Sequence, residues 1–488
     1  MQDSDRGKRV SVSATSDLAL CEILIAEVFD AIARLDAYLD DVESSAQPRS
    51  GIPLNLFRNI VRKVLYPSLE QPLGLIKQTA TSKTPLNPSE FQAIVNLAGS
   101  TFIGLASVHR FLKYLRPPEP PSEIFTLLRE IQAAFPDPAI GENEPDVLLS
   151  EIFNYGEIDL HAALEWKLRE EKIFSAVPGE ETIVIILPYT QVNNPLMWTI
   201  ISHEVGHFAE KQYSLGRKVI SKILGCVPAD VADSTELDWV EELISDLVAV
   251  RVLGPAYLFS FISLTIPQSS LGVPSLTHPS DLSRVRIAFQ ELNHTCLTDA
   301  VPTLKSLVQN SVELFEEKFK FNEKYLGDKN LGPSKIHGKP LADVVALINQ
   351  ELDDLKIARI TVDSLRCAET LAKNLAKGHP IAASQSETSV LQSKLAHLEA
   401  LLADGNIEGS RDLFFEIQNG MVEKPCSCSE IINAGYLHRY EKTIPHIIDR
   451  LSASTLDDFA NEYRDELKQL DHQLEVSLQT TEIHKLFL

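Results

Sequence analysis

The chain has 488 residues and a strong acidic excess, with 68 acidic against 45 basic residues and a formal net charge of -23. This charge repels phosphate backbones and anionic lipid headgroups at long range, which excludes nucleic acid and charged membrane surfaces as general partners. The hydrophobic fraction of 44% is that of a globular protein, whereas aromatic residues make up only 7%. These numbers predict a mainly α-helical protein with an aliphatic core.

The six cysteines are scattered through the chain rather than densely spaced, as they are in small disulfide-bonded secreted domains. The first residues contain no apolar stretch of the kind found in a secretory signal. The most apolar run, residues 252–267, is shorter than the roughly 20 residues of a membrane-spanning helix. It also contains Gly254-Pro255. We therefore expect a cytoplasmic protein without membrane insertion, in which this run forms a buried helix.

Residues 1–116 are predicted to form an N-terminal helical region. Apolar side chains recur at three- and four-residue intervals, as in amphipathic helices, in residues 16–42, LFRNIVRKVLY and PSEFQAIVNLAGSTFIGLASVHRFLKYL. The segment RPPEPPSE then supplies several prolines, which lack backbone N–H donors and favour extended structure. It predicts a linker at residues 117–123, followed by a compact core at residues 124–290.

In that core, two helical stretches are expected before a short strand, ETIVIILPY, at residues 181–189. This strand is rich in β-branched residues and bounded by proline. Because Pro188 cannot donate to a sheet ladder, it fits a strand end or an edge strand.

Two predicted helices follow the strand. Asn194 and Pro195 indicate the start of the first, NNPLMWTIISHEVGHFAEKQ, as N-cap and first helical residue. The second lies in STELDWVEELISDLVAVRVLG, where Thr235 and Asp238 have capping-box spacing and Gly254 marks the end.

Residues 291–488 are predicted to form a C-terminal helical region with loops around residues 327–339 and 378–387. The N- and C-terminal helical regions could restrict access to the core, recognise a substrate or bind partner proteins. Their sequences do not identify such a partner.

The motif HEVGH carries the chemistry of the core. His203 and His207 are four residues apart, so on a helix their imidazoles share one face and can turn ring nitrogens to one point. Two imidazoles supply half of a tetrahedral zinc site. Glu204 lies where H-E-x-x-H enzymes place the carboxylate that takes a proton from the zinc-bound water. The motif therefore predicts a Zn2+ site with Glu204 as general base.

A catalytic zinc usually has three protein ligands, so the third must come from elsewhere in the chain. Glu242 lies in the following helix, and Asp246 is one turn further along the same face. Glu242 can bind the metal while Asp246 accepts the free N–H of a ligand histidine and fixes its orientation. The neighbouring Glu241 stays open as an alternative ligand, because the pattern alone does not exclude it.

The segment WVEELISD after HEVGH resembles the Glu-x-x-x-Asp helix of gluzincins, the thermolysin-like zinc peptidases. In that helix the glutamate binds the metal and the aspartate lies behind a ligand histidine. LTHPSDLSRVRIAF is similar to the Thr-His-Pro-Pro and arginine that follow this helix in some integral-membrane gluzincins. That likeness implies that His278 or Arg284 lies near the site and stabilises an oxyanion. The resemblance covers residues 181–289, under a quarter of the chain.

The resemblance implies a mainly α fold with a small α+β zincin-like catalytic core, made of a short sheet, the HExxH helix and a second ligand-bearing helix. It further implies a zinc metallopeptidase that hydrolyses a peptide or protein substrate. Zinc would lower the pKa of its water to about 7 and polarise the scissile carbonyl. The strand ETIVIILPY would be the edge strand along which an extended peptide binds.

Each feature also has an interpretation without catalysis. HEVGH could be a polar patch on a helix, and His278 and Arg284 could belong to a loop and a helix start. Cys426 and Cys428, in PCSCSE, are interpreted as ordinary thiols rather than as a soft-metal site. The alternative function is a catalytically inactive zincin-like binding or scaffold protein, against which the intact Glu204 argues. A deformylase-like hydrolase ranks last, because its glycine- and cysteine-bearing companion motif is not found.

Overall fold

Helices dominate the protein, as predicted, and two small sheets accompany them. The structure is a computed structural model. Apart from single positions between 396 and 411, it describes residues 4–44, 54–82, 86–109, 121–136, 146–150, 156–159, 183–188, 191–267, 275, 277–326, 335–376, 426–453 and 456–487.

The N-terminal region is helical, as predicted. Its helices are α1 (Ser4–Ser44), α2 (Leu54–Ile60), α3 (Tyr66–Ser68), α4 (Glu70–Ser82) and α5 (Pro88–His109), and the predicted core then begins with α6 (Ser122–Ala133). Pro121 is the N-cap of α6, so the last two residues of the predicted linker, 122 and 123, are helical. Residues 117–120 of that linker lie outside the described part of the chain.

Three short strands form one sheet, and they are β1 (Asp146–Ser150), β2 (Gly156–Asp159) and β3 (Ile183–Pro188). The predicted strand is confirmed as β3, but its predicted edge position is wrong. It lies between β1, to which it is parallel, and β2, to which it is antiparallel. Pro188 is tolerated because it is the last residue of the strand. β1 and β2 occupy part of the stretch for which helix was expected.

The HEVGH motif lies on α7 (Ile201–Tyr213), which is entered through a 3₁₀ turn, Met197–Ile200. The predicted start at Asn194 and Pro195 is wrong. The Nδ2 of Asn194 donates to Oε1 of Gln191 at 2.6 Å, so its side chain stabilises the preceding loop instead of capping the helix. The edge strand β2 contacts α7.

The second predicted helix is present as α9 (Thr235–Leu253), after α8 (Leu215–Leu224). Its N-cap is Ser234, one residue before the predicted Thr235, and the Oγ of Ser234 accepts the N–H of Leu237. The helix ends at Gly254, whose φ of 65° is in the left-handed region that favours glycine.

The apolar run after Gly254 forms α10 (Pro255–Thr265), which is buried as predicted. Among the described helices, none combines the length and apolar character that crossing a bilayer requires.

The C-terminal region is also helical. Helix α11 (Asp281–Thr295) crosses the predicted boundary at residue 290, and it is followed by α12 (Pro302–Leu326), α13 (Leu341–Asp354), α14 (Val362–Leu375), α15 (Cys428–His438), α16 (Ile444–Ala453) and α17 (Leu456–Phe487). The first predicted loop contains a two-stranded hairpin, β4 (Lys335–Ile336) with β5 (Lys339–Pro340). The second, at residues 378–387, lies outside the described residues.

Buried apolar side chains from α1 to α17 form one continuous cluster. The long helix α1 packs against α5, α12, α16 and α17. Buried Arg439 strengthens this connection, because it donates to Glu27 at 2.6 Å and to Asp30 at 2.9 Å, both on α1. The three predicted regions therefore share one hydrophobic core.

Candidate metal centre

Two histidines of α7 and one glutamate of α9 converge on a single point. Nε2 of His203 lies 3.0 Å from Nε2 of His207. The carboxylate of Glu242 lies 3.4 Å from each of these nitrogens. The structure thus brings together the three residues that the sequence predicted as metal ligands.

These distances fit a zinc ion. Ligand atoms about 2.0–2.1 Å from a tetrahedral zinc are separated from one another by roughly 3.4 Å. In addition, Oε2 of Glu242 is buried and has no hydrogen-bond donor of good geometry among the described residues, although Nη2 of Arg284 lies 3.2 Å from it as an ion pair. Arg284 balances part of the charge of this carboxylate, and a metal ion would complete the coordination of the oxygen. The donor set of two imidazoles and a carboxylate is one that catalytic zinc sites use.

A glycine allows the two ligand-bearing helices to approach closely. A Cβ atom added at Gly206 would lie only 2.7 Å from Cα of Ser245 on α9. Any larger residue at this position would push α7 and α9 apart. The glycine inside HEVGH thus sets the distance between the two histidines and Glu242.

Asp246 lies behind His203, as predicted. Its Oδ1 is 3.0 Å from Nδ1 of His203. An ionised carboxylate only accepts hydrogen bonds, so this contact places a proton on Nδ1 and makes Nε2 the nitrogen that would bind a metal in exchange for its proton.

Asp246 is itself held by two further residues. Arg284 forms a bidentate pair with it, with Nε and Nη2 each 2.7 Å from a carboxylate oxygen. The hydroxyl of Tyr257 donates to the same carboxylate. The guanidinium of Arg284 also lies 4.6 Å from the ring centroid of Phe261, on the buried side of the site.

Burial and charge compete at this site. Burial alone would lower the pKa of His203, but hydrogen bonds to Asp246 and Glu242 and their negative charges raise it to about 10. Burial alone would raise the pKa of Asp246 and of Glu242, but the charge of Arg284 and the nearby histidine hold both well below the usual range. Both carboxylates are therefore ionised at neutral pH.

Glu204 is buried, with 6% of its surface exposed, in the first turn of α7. Glu241, the alternative ligand, lies on another face of α9, next to Gly216. A Cβ atom added at Gly216 would lie 2.9 Å from Cγ of Glu241. Burial and the nearby Glu210 raise the pKa of Glu241 to about 7. Of the two adjacent glutamates, only Glu242 therefore joins the histidines.

His278 is the most accessible of the predicted site residues, with 51% of its side chain exposed. Its Nε2 lies 3.2 Å from Oε1 of Glu242. Its Nδ1 lies 2.7 Å from Oγ1 of Thr277 and 3.3 Å from Oγ of Ser275. Two hydroxyl groups thus orient the imidazole at the solvent side of the site, while Arg284 approaches from the buried side.

Tyr257 is a site residue that the sequence did not predict. Its ring is nearly parallel to that of His203, with an interplanar angle of 3° and centroids 6.1 Å apart. Only its position in an apolar helix directly after the ligand-bearing helix could have drawn attention to it.

The chain matches no family model, no curated protein and no solved structure. The likeness to gluzincins therefore depends on HEVGH, EELISD and the way in which their side chains meet.

Proposed function

We propose that the protein is a zinc-dependent metallopeptidase of the gluzincin type, with a zincin-like core built from the small sheet, α7 and α9. The observation that carries this proposal is the convergence of ligand atoms from His203, His207 and Glu242 on one point. The remaining tetrahedral position would be open to water and substrate, as in catalytic rather than structural zinc sites.

When bound, zinc would supply a water of lowered pKa, about 7, and would polarise the scissile carbonyl. His203, His207 and Glu242 would hold the ion, and Asp246 would orient His203. Arg284 contributes as a positioning residue, because its donors are directed to Asp246 and Glu242.

Glu204 is the proposed general base. Its carboxylate takes a proton from the attacking water and passes it to the leaving amine, so that the C–N bond breaks and a carboxylate and an amine remain. His278, exposed beside Glu242, is placed to donate a hydrogen bond to the oxyanion that develops on the carbonyl.

The proposed substrate is an extended peptide that pairs with β2. This strand, and not β3, is the edge strand on the side of the sheet that contacts α7. A peptide added there gains backbone hydrogen bonds and passes near the histidines.

The substitution Glu204→Gln tests the mechanism. Glutamine has nearly the same size but cannot take up a proton, so zinc content should be unchanged while peptide cleavage falls about 10²- to 10⁴-fold. Metal analysis and cleavage of a peptide library would measure the two effects. Glu241→Gln is the matched control and should keep both properties.

Equal activity of Glu204→Gln and the wild type would contradict the assigned mechanism. If the wild type binds zinc but cleaves no peptide in the library, the inactive scaffold is favoured instead.

A further inference from the structure

A second cluster of metal-ligating side chains lies away from the residues of the candidate metal centre. All six cysteines belong to the described part of the chain, and none forms a disulfide. Cys426 does not pair with Cys428, which is buried at the start of α15, but lies beside Cys367 of α14. One ligand atom each from Cys367, Cys426 and Glu430 lies within 4.8 Å of the other two.

The surrounding structure holds these three groups in place. Helices α14 and α15 pack against each other along their length. The backbone N–H of Ser427 donates to Oε2 of Glu430 at 3.0 Å, which closes a capping box and fixes the carboxylate. The backbone carbonyl of Cys426 accepts a hydrogen bond from Thr481 at 3.1 Å. The cluster is therefore built from separate, well-packed segments and does not depend on one loop.

The chemistry of the cluster suits a thiophilic cation. Thiolate sulfur is a preferred ligand for zinc, and a carboxylate is an accepted third ligand. All three residues are partly exposed, so an ion can reach them from solvent. The backbone N–H groups of Cys428 and Ser429, at the start of α15, donate to the carboxylate of Glu130 at 2.8 and 3.0 Å. They are therefore not available to form hydrogen bonds with the thiols of the cluster.

We propose that Cys367, Cys426 and Glu430 form a second metal site that binds Zn2+ or a similar thiophilic divalent cation, independently of the HEVGH centre. Binding replaces the two thiol protons with metal–sulfur bonds and releases those protons to solvent. The hydrogen bond to Cys426 and burial raise the pKa of the Cys367 thiol. The bound ion would tie α14 to the segment before α15.

Cobalt distinguishes this site from the first one. Co2+ bound to thiolate gives an intense sulfur-to-metal charge-transfer absorption in the near ultraviolet, whereas Co2+ bound only to imidazole and carboxylate does not. We expect two equivalents of Co2+, enough to fill both proposed sites, to produce this band in the reduced full-length protein, and excess Zn2+ to remove it. The double variant His203→Ala and His207→Ala should keep the band, so failure of the proposed catalytic function would not affect this result.

Variants identify the ligands. Cys367→Ser and Cys426→Ser should each abolish the band. Glu430→Gln, which retains a capping side chain, should weaken binding at least tenfold. Cys428→Ser and Cys226→Ser, which remove a buried and an exposed thiol outside the cluster, should leave the band unchanged. Circular dichroism of each variant verifies the fold.

Three results would overturn the proposal. One is the lack of a charge-transfer band in folded wild-type protein whose six thiols all react with a thiol reagent once the protein is unfolded. Another is a band that survives both Cys367→Ser and Cys426→Ser. The last is oxidation of Cys367 and Cys426 to a disulfide by peroxide at the same rate with and without added Zn2+. That result would show that the two thiols form a redox pair and do not bind the metal.

Discussion

Asp246 determines the orientation of the first ligand histidine. Its two oxygens accept from Arg284, from Tyr257 and from Nδ1 of His203. An asparagine in its place would offer one carbonyl oxygen instead of two and would present an amide N–H₂ to these donors. The buried guanidinium would also lose its bidentate partner, which is unfavourable in a low-dielectric site.

We therefore predict that Asp246→Asn lowers zinc affinity about 10- to 100-fold, the range found when such outer hydrogen bonds are removed. Competition with a chromophoric chelator would measure the affinity. Tyr257→Phe keeps the ring beside His203 and removes only the hydroxyl, so its effect should be smaller. Undiminished zinc binding by Asp246→Asn would show that the carboxylate does not position the histidine.

Helix geometry predicted the pairing of His203 with His207 and of Glu242 with Asp246, whereas His278 and Arg284 were predicted from the resemblance to gluzincins. His203 and His207 share a face because of their four-residue spacing, and Asp246 lies one turn beyond Glu242 for the same reason. Tyr257 escaped prediction because its contact depends on the direction that α10 takes after Gly254. The choice between Glu241 and Glu242 likewise depended on how α9 is rotated against α7.

At the scale of helices, the candidate site depends on the close packing of α7 and α9. Gly206→Ala would place a methyl group 2.7 Å from Cα of Ser245, a backbone atom that cannot move independently of its helix. The helices must therefore separate, which moves Glu242 away from the two histidines.

Gly206→Ala is predicted to lower the free energy of unfolding by about 1–3 kcal/mol, as overpacking of a core does, and to weaken zinc binding. Gly74→Ala, at an exposed position of α4, is the matched control, because a Cβ there meets no atom within 4 Å. It should stabilise the protein by about 0.4–1 kcal/mol. Denaturant unfolding and zinc titration would give the free energy of unfolding and the zinc affinity of both variants. Equal, small changes in the two variants would show that α7 and α9 are not closely packed at Gly206.

Helix periodicity predicted most helices but not all their boundaries. The segment from 341 to 376 reads as continuous helix, yet it divides into α13 and α14. Backbone hydrogen bonds to distant segments hold the connection, with the N–H of Ile360 donating to Arg251 at 2.7 Å and that of Ala358 to Ala134 at 2.8 Å. Strands β1 and β2 escaped prediction for a similar reason, because they are short and pair with a distant β3.

At the scale of the whole molecule, the helical regions stabilise the segment that carries the site. Helix α10 packs against α12 and α15, both from the C-terminal region. Asn433 of α15 donates to the carbonyl of Leu253 at 2.8 Å and accepts the N–H of Ala256 at 2.9 Å. It thereby satisfies backbone groups at the junction where the ligand-bearing helix α9 ends and α10 begins.

This dependence predicts that residues 117–290 do not fold alone. Without α12 and α15, the buried side chains of α10, such as Leu258 and Phe259, would be exposed as an apolar surface that favours aggregation. The isolated segment should therefore elute as aggregate in size-exclusion chromatography and show no cooperative thermal unfolding, whereas the full chain should unfold cooperatively under the same conditions. A monomeric segment that unfolds cooperatively and binds zinc would instead mean that the core folds on its own. The flanking helices would then only restrict access to the site or bind partners.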